Sequence, residues 1–545
     1  TLGTAQAEGS PDSVFALVDR LSIDALTAIL KGNGDQRASP NLARATTTSL
    51  PALKAYLEGE SLLRRSEFPG AIAAYQRAIA ADSTFAFALY HLGDAYGWSP
   101  EIEVRITGGQ YYARAARHAS RLPEREALLV RAGKAFADGK AAEVELLREA
   151  VRKYPDDAEA WFSLGEFYFH FGQQLLIDQG RSDEPFLKAV DLDPSFAPFY
   201  IHLINNAFLH HADSTRARRF IQAYRRAAPN TRIDNESRIA FGLAFGDSAT
   251  LLGALAALDT LPVLTLASVS GGYLNHPRFW DEQEIVLTTK PRPNSFDGTL
   301  MTLRLSANSL NRGRLRSALA FLEEPLVTRP IAEVNLYMLH AKGLPVPTEI
   351  LERESALDAR ADLPADSLPD IITFFAAAYA ADRGRWDAHA FGVARLRSYS
   401  QRFLAEGDSA ASTFAAAAAE GLEGLALWRR GDAERALPLL ERAQRGATGQ
   451  GPGELVNATI RWWLGTLHLE SGRAREAARY FESFWNDPVA AYSLGQAYEQ
   501  LGEYAKARKA YEFLATAWKD ADPELQPRAA AARAAAQRLT SVTRE

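Results

Sequence analysis

The chain has 545 residues, 47% of them apolar and 23% charged, with a formal charge of −6 and no cysteine. That length exceeds what one hydrophobic core usually serves, so several domains or one long repeat array are expected. The acidic balance argues against nucleic acid as a partner, since phosphate contacts need a basic face. The lack of cysteine excludes disulfides, thiolate metal sites and a cysteine nucleophile, and no apolar run approaches the ~20 residues of a membrane span.

Thr1 to Ser10 is small and polar, with neither an initiator methionine nor a signal peptide, and reads as the start of a processed or excised piece of something longer. Asp12 to Leu30 places Phe15, Val18, Leu21, Ala25, Leu26 and Ile29 on one helical face, and Gly32 to Thr48 reads as a loop. A repeat region starts at Ser49. Gly59, Ala71, Tyr75 and Ala78 occupy small and aromatic positions of a first helical hairpin. Gly93 and Tyr96 open a second hairpin, 34 residues after Gly59, and Tyr111 to Leu122 closes it. The third runs from Glu124 to Pro155 with Gly139 in its turn.

The fourth hairpin, Asp157 to Pro194, has the fullest pattern. Trp161, Leu164, Gly165 and Tyr168 share a helical face, and Phe186, Ala189 and Pro194 follow on a second helix with a proline stop. Gly165 is the position where the two helices approach closely. This order of residues is that of the tetratricopeptide repeat, a helical hairpin of 34 residues that cannot bury its apolar face alone and must stack on neighbours. The fifth hairpin carries Tyr200, Leu203, Ala217, Ile221 and Pro229.

From about Asn230 to Glu420 the pattern blurs into degenerate hairpins. Helices are expected at Glu236–Phe245, Ser248–Leu258, Gly298–Asn311, Leu315–Leu322, Leu368–Arg383, Asp387–Glu406 and Ser409–Glu420, with long loops at Leu274–Asn294 and Gly343–Ala361. Clear repeats return with Gly424, Ala436, Leu440 and Ala443, then Trp462, Gly465, Ala477 and Phe481, then Tyr492, Gly495, Tyr498, Ala507 and Tyr511. Pro523 to Leu539 reads as a capping helix. The expected fold is all-α, a right-handed superhelical solenoid of about nine to twelve hairpins, divided as 1–47, 48–230, 231–420 and 421–545.

The segments FALVDRLSIDAL, TTTSLPALKAYLEGESLLRRSEFPGAIAAYQRAIAADSTFAFALYHLGDAY and LLREAVRKYPDDAEAWFSLGEFYFHFG resemble the module that joins a TolB-like domain to tetratricopeptide repeats in multidomain bacterial signalling proteins, among them serine/threonine kinases and adenylate-cyclase-like regulators. The likeness covers roughly Asp12 to Pro229, with 1–47 as the tail of the TolB-like region. It implies a regulatory or sensing module outside the cytoplasmic membrane, periplasmic or secreted. Kinase motifs are absent, so no catalytic activity carries over.

In such repeats the first helix of each hairpin lines a concave groove. Counting the glycine as the eighth position, the fifth, ninth and thirteenth face it: Tyr90 and Asp94, then Phe162, Glu166 and His170, then Ile201 and Asn205, then Tyr492 and Gln496. Exposed aromatics beside hydrogen-bonding groups suit an extended peptide or helix. Asp94 and Glu166 are acidic where a grip on a terminal carboxylate would need amides or bases.

Other constellations read as structural. The stretch Gly446–Gly453 lacks the Gly-Lys-Ser/Thr ending of a phosphate loop and reads as an inter-repeat loop. His202, His210 and His211 have no carboxylate at a spacing that completes a facial metal site, so no metal and no cofactor is expected. Ser268, Ser270, Gly271 and Gly272 form no nucleophile elbow, and the arginines between 216 and 226 read as a solvated face. The chain reads as a non-catalytic scaffold for a protein or peptide partner. The alternatives are a self-assembling subunit that associates head-to-tail and an enzyme with its site in the central third.

Overall fold

A computed structural model describes residues 47–99, 102–354 and 370–542. The helix expected at Asp12–Leu30, most of the polar stretch after it, and the end of the Gly343–Ala361 loop lie outside the described residues. Among those described there are 27 α-helices and no strand. Successive helices pair antiparallel and the pairs stack side by side, an all-α superhelical solenoid as expected.

The local chemistry of one hairpin shows why. Asp157 caps the helix Ala158–Phe171, accepting from the backbone N–H groups of Glu159 and Ala160 at 3.0 and 3.1 Å. Within that helix Gly165 faces Phe186 of the returning helix Asp183–Leu192. A Cβ at 165 would sit 2.5 Å from the Phe186 ring, so only glycine admits this ring. The same device recurs at Gly59 against Tyr75 (2.5 Å) and Gly495 against Tyr511 (2.6 Å). Trp161 is half-buried against the core, its indole N–H donating to the Pro155 carbonyl at 2.9 Å.

The central third is more helical than its prolines suggested. The expected loop Leu274–Asn294 contains a short 3₁₀ turn, Pro277–Phe279, and the helix Trp280–Thr288, which buries Trp280, Gln283, Val286 and Leu287. Helices Val263–Gly272 and Arg329–Ala341 are likewise additions, and the expected loop Gly343–Ala361 contains the helix Thr348–Glu354. Pro262 and Pro330 stand at the beginnings of the first two, where a missing N–H costs nothing and the fixed φ favours a helical start. Each of these two prolines opens a helix. The helix Ser409–Arg429 runs unbroken through the boundary placed between 420 and 421.

Two core clusters result, one spanning Ala52 to Leu305 and one Leu315 to Leu539. They meet in chain order at the turn containing Gly313, and the coil also returns on itself. The Trp518 indole donates to the Leu310 carbonyl at 3.2 Å, Asp522 N–H donates to the Gly313 carbonyl at 2.9 Å, and Lys342 pairs with Asp487 at 2.6 Å.

A second returning contact joins the two halves directly. The Gln174 amide donates to the Gly449 carbonyl at 2.8 Å and accepts from Gly449 N–H at 2.9 Å. Thr448 Oγ1 donates to the Gly139 carbonyl at 2.6 Å. The Gly-rich stretch is an inter-hairpin loop, as read, and it is also the piece that closes the coil.

Candidate functional site

The closed coil encloses a cavity of about 1790 Å³, beyond the ~300–1,000 Å³ of ordinary small-molecule sites. Inner helices of the N-terminal half and of the central third form its wall, and Ala411, Phe414 and the loop Thr448–Gly453 close it from the other side.

Of the groove residues named from the sequence, Tyr90, Asp94, Phe162, Glu166, His170, Ile201 and Asn205 all stand on this wall. Tyr492 and Gln496 do not. The Tyr492 ring packs against Tyr511 at 5.7 Å, and Asp487 at the start of the same helix pairs with Lys342, so this hairpin meets the central helices instead. Nor is Tyr90 an exposed aromatic. It is 3% exposed, packed edge-on against Tyr112. Residue 133 is a glycine whose Cβ would fall 2.7 Å from the ring. Phe162 is half-buried, near Phe186 and Phe199 at 5.8 and 5.0 Å between ring centres.

Two titratable clusters occupy the wall. In the first, His91 bridges carboxylates: Nδ1 contacts Glu60, and Nε2 lies 3.0 Å from Glu159 Oε1. Tyr75 donates to Glu60 at 2.6 Å, and Tyr112 donates to Asp94 at 2.6 Å. Burial raises the Asp94 carboxyl to about 6, against the opposing pull of His91 and of the Tyr112 hydrogen bond. Burial also pushes Tyr75 and Tyr112 up, helped by Glu60 and Asp94 respectively. These contacts pair each polar group with a neighbour, and the cluster reads as a proton-sharing network.

In the second cluster the carboxylate that was missing from the sequence reading is present. Glu166 and His170 project one turn apart from the helix Ala158–Phe171, and His202 meets them from the helix Ile201–Leu209. Glu166 Oε1 lies 3.3 Å from His202 Nε2, and Glu166 Oε2 lies 3.7 Å from His170 Nε2. The spacing rule failed because it searched only along the chain, whereas the acid comes from the preceding hairpin. His210 and His211 lie elsewhere: His210 packs on Trp485 at 4.3 Å, and burial lowers its pKa to about 4, while His211 pairs with Asp183 at 2.8 Å.

Arg304 also lines the cavity, and the sequence reading did not single it out. Its Nε is buried without a hydrogen-bond partner. Burial alone lowers its pKa to about 10, and among the described residues no carboxylate stands near enough to counter that. The guanidinium lies over Gly271, where a Cβ would come within 1.6 Å of it. The signal was available: one arginine in the apolar helical run TLMTLRLSANSL. The serines at 268 and 270 have structural partners, Ser268 donating to Glu236 at 3.1 Å and Ser270 to the Ala267 carbonyl at 3.1 Å.

Comparison with known proteins follows the geometry. Models of the tetratricopeptide repeat match residues 56–96, 144–174 and 422–488, and a further one matches 489–512. The chain therefore carries tetratricopeptide repeats. No curated protein matches it. Solved structures that resemble it include the APC/C hetero-tetramer Cut9–Hcn1, with 13% identity, 90% of this chain and 84% of that chain covered, and a TM-score of 0.29. Naa15/Naa10 bound to HypK-THB shares 13% identity over 96% and 84%, with a TM-score of 0.25. The P58(IPK) TPR domain shares 12% over 78% and 100%, with a TM-score of 0.21.

Proposed function

We propose that this repeat-bearing chain is a non-catalytic scaffold that takes a protein segment with an acidic side chain into its interior. The observation that carries the proposal is the cavity itself, long enough in its lining to run from Tyr90 to Arg304 and walled by half-buried aromatics beside hydrogen-bonding groups. Such walls suit an extended or helical segment. Arg304 supplies the preference: a buried guanidinium without a counter-charge is costly, and a carboxylate arriving with the segment offsets that cost. In that reading the chain is the sensing module of an extracytoplasmic signalling system, an assignment supported by the resemblance of Asp12–Pro229 to modules that follow TolB-like domains. Among the described residues no helix is long and apolar enough to cross a membrane.

The test is selection from a displayed random-peptide library on the immobilised full chain. Enriched peptides should share an acidic residue. They should bind Ala411→Trp, which narrows the cavity on the side that Ala411 and Phe414 close, and Arg304→Met at least tenfold more weakly. Peptides that bind Ala411→Trp as well as the parent chain would overturn the cavity assignment.

A further inference from the structure

We infer that Glu166, His170 and His202 form a binding site for a divalent transition metal of the zinc class. One nitrogen from each histidine and one carboxylate oxygen lie mutually within 4.8 Å. Metal–ligand bonds of ~2.1 Å in a tetrahedron put ligand atoms roughly 3.4 Å apart. The carboxylate meets each ring near that spacing, Oε1 lying 3.3 Å from His202 Nε2 and Oε2 lying 3.7 Å from His170 Nε2.

Proximity alone would not distinguish a metal site from a hydrogen-bonded pair; the tautomer does. Asn205 donates its amide N–H to the Gly272 carbonyl at 2.8 Å, which turns its Oδ1 toward His202 Nδ1 at 3.1 Å. An amide oxygen only accepts, so Nδ1 must carry the proton and donate. In the neutral ring Nε2 is then a bare lone pair, and it points at the carboxylate oxygen Glu166 Oε1. Both atoms are buried and neither has a hydrogen-bond partner. Two acceptors facing each other at 3.3 Å repel unless a proton or a metal cation lies between them, and the metal is the one that also engages His170.

The arrangement matches the way metal-ligating histidines are oriented, with the far ring nitrogen donating to a fixed acceptor that sets both tautomer and ring angle. The His91 cluster serves as an internal contrast. It offers one histidine with Asp94 and Glu159, and there Asp94 already accepts from Tyr112 while both His91 nitrogens already face Glu60 and Glu159.

The surroundings also favour a cation. Phe169 stacks on the His202 ring at 3.8 Å and Trp98 lies 5.2 Å from it, which fixes that ring, and Asp94 near Glu166 adds negative charge. Among the described residues no lysine or arginine pairs with Glu166, and the two histidines are what its oxygens face. The mixed nitrogen and carboxylate donor set, without thiolate, suits Zn²⁺ or its first-row neighbours. Because all three residues line the cavity, a remaining coordination position is reachable from it.

The experiment uses the full chain, stripped with a chelator, loaded with Zn²⁺ alone and desalted, with metal content measured by elemental analysis. Close to one metal per chain is expected. Co²⁺ in its place should give the visible absorption of a tetrahedral site. Glu166→Gln and His202→Gln should each bind at least 100-fold more weakly, while His91→Gln should stay within about threefold of the parent.

Melting of the metal-free variants checks that they fold, and Zn²⁺ should raise the melting temperature of the parent chain but not of the two ligand variants. No retained metal in the parent, or retention that survives Glu166→Gln and disappears in His91→Gln, would overturn the assignment.

Discussion

Asp94 shows what burial of a single carboxyl does to the molecule. Its pKa is raised to about 6, first by burial, so the folded chain holds this proton more tightly than the unfolded chain does. As pH rises from about 4 to 6 the unfolded state loses its proton first. Stability attributable to Asp94 therefore falls over that window, and the full cost is present above it. Asp94→Asn keeps an oxygen to accept from Tyr112 and removes the charge. It should raise stability by about 1–3 kcal/mol at pH 7.5, with the gain shrinking toward pH 4. Denaturant titrations of both chains at the two pH values check this, and a gain independent of pH would contradict the burial account.

The residue scale is also where sequence reading met its limit. Glu166 and His170, four residues apart on one helix, were legible as a pair facing the interior. His202 could not be joined to them, because which side chain of the next hairpin reaches across depends on the angle at which two helices pack, and spacing along the chain carries no such angle. Arg304 was visible in the string as one charge in an apolar run, yet whether such a charge is solvated or stranded depends on what stands opposite it.

At the scale of the element, a hairpin is defined by a glycine and the ring that fills the space it leaves. This was readable from the sequence, because glycine and aromatic recur at the repeat period: Gly59 with Tyr75, Gly165 with Phe186, Gly495 with Tyr511. In the central third the same packing persists without the period, and the helices that Pro262 and Pro330 open are not legible there. Proline forbids a helix interior and favours a helix start, and composition alone does not tell the two apart.

The steric argument gives a direct prediction. Gly165→Val would place side-chain carbon where the Phe186 ring now lies 2.5 Å from the Cβ position. The two helices must separate or the ring must leave its rotamer, a cost of typically 1–3 kcal/mol. Gly97, whose Cβ would meet nothing within 4 Å, supplies the control: Gly97→Ala should not destabilise the chain. Urea titrations compare the two. Equal effects would mean that helix propensity, and not the close approach, sets the requirement for glycine.

At the scale of the whole molecule, stacked hairpins would form an open coil if each touched only its neighbours, and it is the returning contacts that make an enclosed cavity. The closing contact is small; Leu176 packs against the second core, and the rest is mostly polar. It rests on Gln174 with Gly449, on Thr448 with Gly139, and on Gln444, whose amide donates to the Gln174 carbonyl at 2.6 Å. Gly139 must lack a side chain there, both because its φ is +69° and because a Cβ would fall 2.6 Å from the Gly449 Cα. None of this was legible in the sequence, since the partners lie some 270 to 310 residues apart and two glycines meeting carry no periodic signal.

Each core cluster is continuous within its own half, so breaking the closure should open the coil without unfolding either part. Gln174→Ala with Thr448→Val removes four hydrogen bonds, the fourth a long one from Ala141 N–H to Thr448 Oγ1, at about 1 kcal/mol each at most. That is enough to shift a closed coil toward an open one when the contact is the main restraint. Small-angle scattering should then show a larger radius of gyration, with helical circular dichroism unchanged. Superimposable scattering curves would assign the closure instead to the other returning contacts, where Trp518 and Asp522 meet the turn at Gly313 and Trp485 packs on His210, and the double substitution would then leave the cavity shut.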